Sequence, residues 1–277
     1  DSRGVGEMYM VSTKSGHPEL SKWKYPLPGD SLIFRISRVI INVQTGGEEL
    51  TTLPEIIRLK MPPDQHRSSS DDHIAGRGGV FLDVRWSEDA KNLAFVSSSR
   101  DHKEAQLRVA NATTGEVRDI MKEVQKTYFE SGDGFSNWHY LSGTNEVIWF
   151  SERDNWGHLY LIDLKTGKIK NRITKGEWAV QQVKYVDRKN RKIYFSAGGK
   201  EDGNPYYWYY YSVNMDGSEL KLLTPEYAHH TVNFSPKYKY LIDSYSTPVM
   251  PPVTVLRDKN GNQLVKLEEA DISQLMT

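Results

Sequence analysis

The sequence predicts an all-β fold: a partial β-propeller of about five four-stranded antiparallel blades. Three observations carry this. Strand-like runs ending in serine recur at Leu93-Ala-Phe-Val-Ser97, Val147-Ile-Trp-Phe-Ser151, Lys192-Ile-Tyr-Phe-Ser196 and Tyr240-Leu-Ile-Asp-Ser244, their serines 54, 45 and 48 residues apart. A glycine turn follows each serine by 16 to 21 residues, at Thr113-Thr-Gly115, Lys165-Thr-Gly167, Met215-Asp-Gly217 and Lys259-Asn-Gly261. Such turns need the positive φ that glycine adopts without steric penalty. Finally, no convincing helical period extends beyond about two turns; Met121–Phe129 and Glu268–Met276 are the best short helix candidates.

Each repeat unit then follows in order. A strand precedes every serine-ended run, at Val80–Trp86, Phe135–Leu141, Val180–Val186 and Thr231–Phe234, and a short outer strand follows the glycine turn, as at Ile169–Thr174 and Leu220–Thr224. The blades therefore occupy residues 79–127, 135–174, 180–224 and 229–267. Residues 1–60 form a degenerate earlier blade, with strands at Glu7–Ser12, Ile33–Ile36 and Val39–Val43 and a turn at Gln44-Thr-Gly-Gly47. Residues 61–78 have almost no apolar pattern and are expected to be an exposed loop. A generic β-sandwich would share the strand density, but not the recurrence of one turn chemistry at one phase of every unit.

Composition narrows the function. The 277 residues carry 36 Lys+Arg against 36 Asp+Glu, a net charge of zero. That balance disfavours nucleic acid as a partner, because phosphate binding needs a surplus of cations. No apolar run approaches the roughly 20 residues of a membrane-spanning helix. Cysteine is absent, which excludes disulfides, thiolate nucleophiles and cysteine metal sites. The start Asp1-Ser2-Arg3 lacks both an initiator Met and a signal-peptide pattern, and is expected to lie inside a longer precursor.

Three stretches resemble the N-terminal domain of the dipeptidyl peptidase IV family, of the prolyl-oligopeptidase type. These are Trp23-Lys-Tyr-Pro-Leu-Pro-Gly29, Trp149-Phe-Ser-Glu-Arg-Asp-Asn-Trp-Gly-His-Leu-Tyr160 and Ile173-Thr-Lys-Gly-Glu-Trp178. The resemblance implies a parent serine peptidase that releases X-Pro or X-Ala dipeptides from peptide N-termini, working in the periplasm or at the cell surface. Its peptide substrate and its C-terminal α/β-hydrolase domain are the implied partners. In that parent the propeller would gate access and form one wall of the substrate pocket.

The chain itself offers no catalytic residue: no serine sits in the G-x-S-x-G elbow that exposes a hydrolase nucleophile. The family's adjacent glutamates that grip the substrate amine precede the Trp23 segment, so Glu48-Glu49 is on the wrong side of that landmark and is expected to be an exposed hairpin end. Two other functions remain open, a free-standing interaction propeller and a catalytically dead family member. A reading frame that stops near Thr277 would mark the first, and one that continues with the elbow serine or its histidine replaced would mark the second.

Several side chains admit both a functional and a packing role. Phe135 and Trp138 lie in the segment that lines the substrate pocket by resemblance, although a blade-core position is the better account of aromatics at a strand start. Glu152, Arg153, Asp154, Trp156, His158, Tyr160 and Trp178 mark the family motif and are expected to be structural: Asp154 making the turn, Trp156 capping the sheet edge. The run Asn204–Tyr211 has no interleaved cation and is expected to pack between blades rather than stack on bases. Neither Asp71-Asp72-His73 nor His229-His230 has metal-binding spacing, since adjacent strand residues point to opposite faces, and both are expected to be solvated loop residues. Gly76-Arg-Gly-Gly79 lacks phosphate-loop spacing. No metal and no cofactor is expected. A propeller short of blades leaves two unpaired edges, and self-association through those edges is expected.

Overall fold

Strand-length runs, bounded by glycine turns and broken by a few bulges, make up almost all regular structure. The computed structural model describes residues 3–14, 16–42, 55–65, 83–129 and 137–275. It contains two compact units, residues 1–129 and 130–277.

In the first unit, β1 (Glu7–Ser12) and β2 (Glu19–Lys24) form a hairpin. Next come β3 (Arg35–Ile36), β4 (Val39–Asn42), β5 (Glu55–Arg58) and β6 (Asp64–Gln65), with β3 paired to β6 and β4 to β5. The stretch expected to be an exposed loop thus supplies a short strand at Asp64–Gln65. Then β7 (Val84–Trp86), β8 (Asn92–Ser98), β9 (Glu104–Asn111) and β10 (Val117–Val124) form a four-stranded antiparallel sheet in chain order. Ile40 and Leu59 of the small hairpin region pack on Leu93, Phe95 and Ala110 of this sheet. The helix candidate at Met121–Phe129 is corrected: its first residues lie in β10, where Ile120 and Glu123 are buried and Asp119/Met121 flank a bulge.

The second unit repeats the four-stranded meander three times. Its sheets are β11 (His139–Leu141) to β14 (Ile169–Arg172), through β12 (Glu146–Ser151) and β13 (His158–Asp163); β15 (Ala179–Asp187) to β18 (Lys221–Leu222), through β16 (Lys192–Gly198) and β17 (Trp208–Asn214); and β19 (His229–Phe234) to β22 (Gln263–Glu269), through β20 (Tyr240–Thr247) and β21 (Met250–Asp258). Every neighbour pair is antiparallel and consecutive, as an up-and-down blade requires. The second helix candidate, Glu268–Met276, is corrected as well: Glu268 and Glu269 end β22, and only a 3₁₀ turn at Ser273–Leu275 follows.

The middle strands are buried on both faces, so they read as continuous apolar runs rather than alternating ones. In β16, Ile193 and Phe195 join the cluster that holds Leu159, Leu161 and Ile173 of the preceding sheet. Tyr194, between them, joins Val232 and Leu241 of the following sheet. The aromatic run behaves in the same way: Tyr209 and Tyr211 face one neighbour and Tyr210 the other. Each is at most 3% exposed, whereas Tyr206, before the strand, is 83% exposed.

All four turn glycines have positive φ, between 68° and 88°. Three of them do more than turn, and a Cβ on Gly115 would sit 2.4 Å from the Arg58 carbonyl oxygen of β5. A Cβ on Gly217 would sit 3.0 Å from the Arg172 carbonyl oxygen, and one on Gly261 would sit 2.6 Å from that of Leu223. In the second unit the turn of one blade thus lies against the end of the outer strand of the blade before it, tightly at Gly217 and with no room for a Cβ at Gly261.

Candidate functional site

The turn between β12 and β13 and the connection from β14 to β15 meet at one end of their blade, and the family-motif residues gather there. Asn155 supplies the turn, with φ of 68° and its N–H donating to the Glu152 carbonyl at 2.9 Å. Asp154, next to it, accepts instead from the Tyr160 hydroxyl at 2.5 Å and pairs with Arg172 at 3.1 Å. Arg153 lies over the Tyr160 ring, 4.8 Å from its centroid, while its Nε donates to Ser151 Oγ at 2.8 Å. Burial, and then the hydrogen bond to Asp154, raises the Tyr160 phenol pKa, so this hydroxyl is a donor and not a base. Glu152 is exposed, and Trp156 stays 40% exposed at the turn.

His158 is fully buried, and its partners define its tautomer. Its Nε2 lies 3.0 Å from the Gly176 carbonyl, which can only accept, so Nε2 carries the proton. Thr174 Oγ1 accepts the Leu159 N–H at 3.0 Å and turns its own proton toward His158 Nδ1, also 3.0 Å away. The ring is therefore neutral. Burial lowers its pKa, outweighing the bond to Gly176. Although this is a hydroxyl–imidazole pair, Thr174 is only 2% exposed and cannot meet a substrate. Trp178 stands edge-on to the His158 ring at 5.0 Å and stacks on Phe195 and Tyr211.

Trp138 is 6% exposed, in the segment leading into β11. Beside it, Asn137 accepts the Val183 N–H at 2.8 Å and donates to the Gln181 carbonyl at 2.9 Å, tying the segment to the next blade. Phe135, Glu48-Glu49, Asp71-Asp72-His73 and Gly76–Gly79 lie outside the described residues.

The expectation for His229-His230 is corrected. Both lie on β19, and His230 is fully buried. Its Nδ1 lies 2.9 Å from Asp243, and Arg257 donates from Nε to Asp243 at 2.9 Å and from Nη2 to Glu226 at 2.5 Å. Glu226, His230 and Asp243 are close enough together to suggest a metal site. The Arg257 guanidinium already supplies the cation, however, and its bonds to both carboxylates outweigh burial and raise its pKa. One signal in the sequence could have revealed part of this: Leu223-Thr224-Pro-Glu226 repeats Ile173-Thr174-Lys-Gly176 fifty residues on. Thr224 Oγ1 caps the Tyr210 N–H as Thr174 caps Leu159.

In the first unit, a cleft of about 350 Å³ is lined by Arg35, Asp64, Glu104, Arg108 and Lys122 among others. Its charges are matched internally, with Lys122 at 2.6 Å from Glu104 and Arg108 at 3.5 Å from Asp64. That pairing leaves little reason for a charged ligand to prefer it.

Consecutive four-stranded meanders packed face to face in the second unit define an all-β protein of the propeller class. The family model for the dipeptidyl peptidase IV (DPP IV) N-terminal region matches residues 1–252, and the chain belongs to that family. Dipeptidyl peptidase 4 of Trichophyton rubrum is 31% identical over 131 residues, and that of Arthroderma otae 34% over 131; each match covers 46% of this chain and 16% of the relative. Among solved structures, a protein described as a dipeptidyl aminopeptidase IV of Bacteroides ovatus aligns with TM-score 0.70 at 23% identity, over 98% of this chain and 38% of its own. Dipeptidyl peptidase 4 of Porphyromonas gingivalis gives 0.67 at 19%, over 98% and 35%. At these identities the two structures speak for the fold alone.

Proposed function

We propose that this chain is the non-catalytic propeller region of a dipeptidyl-peptidase-IV-like serine peptidase, in which it gates access to the active site and forms one wall of the substrate pocket. The family match across residues 1–252 carries this reading. The curated relatives it matches bear the name of the peptidase and are several times longer than the matched stretch. The parent would cleave X-Pro or X-Ala dipeptides from peptide N-termini through an α/β-hydrolase domain, in the periplasm or at the cell surface. Phe135 is the residue we assign to the pocket wall. Trp138, being buried, would back that wall from behind without touching substrate. The motif residues from Glu152 to Tyr160, with Trp178, would hold the end of the blade in shape.

The test is the full-length reading frame, expressed and assayed with a Gly-Pro chromogenic amide before and after a serine-directed phosphonate. Dipeptide release that the phosphonate abolishes supports the peptidase. Absence of release from a folded full-length protein sinks it and leaves a propeller that binds partners. In the active parent, Phe135→Ala is expected to raise KM. Trp138→Ala is expected to lower stability first.

A further inference from the structure

The cluster around His230 constrains how many protons its ring carries. His230 Nε2 lies 2.8 Å from the Glu226 carbonyl oxygen, and Nδ1 lies 2.9 and 3.1 Å from the two oxygens of Asp243. A carbonyl only accepts, and so does an ionised carboxylate. A neutral imidazole has one N–H and would turn a lone pair on one of these acceptors. His158 shows the contrast within the same unit, because there a threonine hydroxyl donates to the second nitrogen. Among the described residues no such donor faces His230. Arg257 Nε donates to Asp243 Oδ2 at 2.9 Å, so that oxygen too acts as an acceptor.

We propose that His230 is held as an imidazolium in a closed four-charge cluster, making this site a proton-binding site that the blade requires. The charges balance: Glu226 and Asp243 are negative, Arg257 and His230 positive. The members come from β19, β20, β21 and the β18–β19 connection, so a single proton completes a cluster that joins three strands and a loop. Removing it leaves Asp243, Arg257 and the ring, each no more than 2% exposed, beside the half-buried Glu226 with one carboxylate charge in excess, and a ring lone pair facing a carbonyl at 2.8 Å. The other titratable groups around the ring are Tyr209, at 5.5 Å between ring centroids, Tyr245, at 5.1 Å, and the neighbouring His229. Lys266 acts on Tyr245 from the outer strand. Both tyrosine phenols are kept neutral by burial, and burial likewise favours neutral His229, so none of them replaces the missing charge.

The test is long-range proton–nitrogen correlation on the 277-residue chain labelled with ¹⁵N-histidine, at mildly alkaline pH where a free imidazole is neutral. Of the eight histidines, one is expected to keep both ring nitrogens protonated. His230→Gln should remove that signal; if that variant fails to fold, contacts to the Tyr245 ring assign it in the unaltered chain. Asp243→Asn, which removes the negative partner, should convert it to a neutral single tautomer. A His230 signal with only one protonated nitrogen, whether the other proton is lost or sits on Asp243, overturns the proposal. So does a zinc-dependent shift of the His230 resonances, which would make the cluster a metal site.

Discussion

Gly176 shows how much a single residue can decide at the end of a blade. Its φ is 132°, and a Cβ there would lie 2.3 Å from Trp178 Nε1, while its carbonyl accepts from His158. Gly176→Ala is expected to cost about 2–3 kcal/mol, from backbone strain plus displacement of the indole, and urea unfolding measures it. His158 gives a prediction with a sign. Its pKa is lowered by burial, so the unfolded chain binds the proton more readily than the folded one. The stability it contributes is complete above about pH 6.5, the unfolded value, and is lost as pH falls through the lower folded value. Unfolding curves taken from pH 7.5 downward should steepen in their loss of stability below that point, and His158→Gln should flatten this limb. An unchanged slope in the variant would mean that His158 is not buried as neutral.

At the scale of elements, one carboxylate links three of them. Glu146 on β12 is 2% exposed and meets Lys170 of β14, Thr144 of the preceding turn and Arg191 of the β15–β16 turn, the last at 2.7 Å. Burial works to raise its pKa, but the hydrogen bonds from Arg191, Lys170 and Thr144 outweigh it and leave the pKa lowered. This stability is present above about pH 4.5 and is lost as pH falls through the folded value. Because Lys170 and Arg191 remain nearly half exposed, solvent screens part of the gain. Glu146→Gln is expected to cost about 1–2 kcal/mol at neutral pH and to weaken the acid dependence, which denaturation at pH 7 and pH 4 would reveal. The outermost strand β22 poses a different question. All seven of its residues are exposed, and it mixes Leu264, Val265 and Leu267 with Lys266, Glu268 and Glu269. We propose that this edge mediates self-association, with the charges keeping it weak. Light scattering should then show an apparent mass that rises with concentration; a constant monomer mass would dismiss the idea.

At the scale of the whole molecule, alkaline behaviour is collective. Seven tyrosines of the second unit, Tyr160, Tyr185, Tyr194, Tyr209, Tyr210, Tyr211 and Tyr245, have pKa values raised, with burial the largest cause in each. The unfolded chain loses these protons first, so stability holds through neutral pH and falls as pH rises past about 10. Absorbance titration of tyrosinate should lag behind free tyrosine and then rise together with unfolding. Most of the architecture was legible because it is written in local chemistry. A glycine turn at a constant phase and a period-two apolar run each act within a few residues, and the four four-stranded sheets follow from them. The failed helix at Met121–Phe129 shows the limit, since a short mixed run satisfies either period until a neighbouring strand claims it. The motif residues were legible as a group, but not their partners: Asp154 leaves the turn to Asn155 because the Tyr160 hydroxyl comes within its reach. By itself the sequence determined the fold class, the blade rhythm and the family. Only the tertiary structure decided that His230 is buried against Asp243, with Arg257 closing the cluster, since those residues are 13 and 14 positions apart and meet only through strand register.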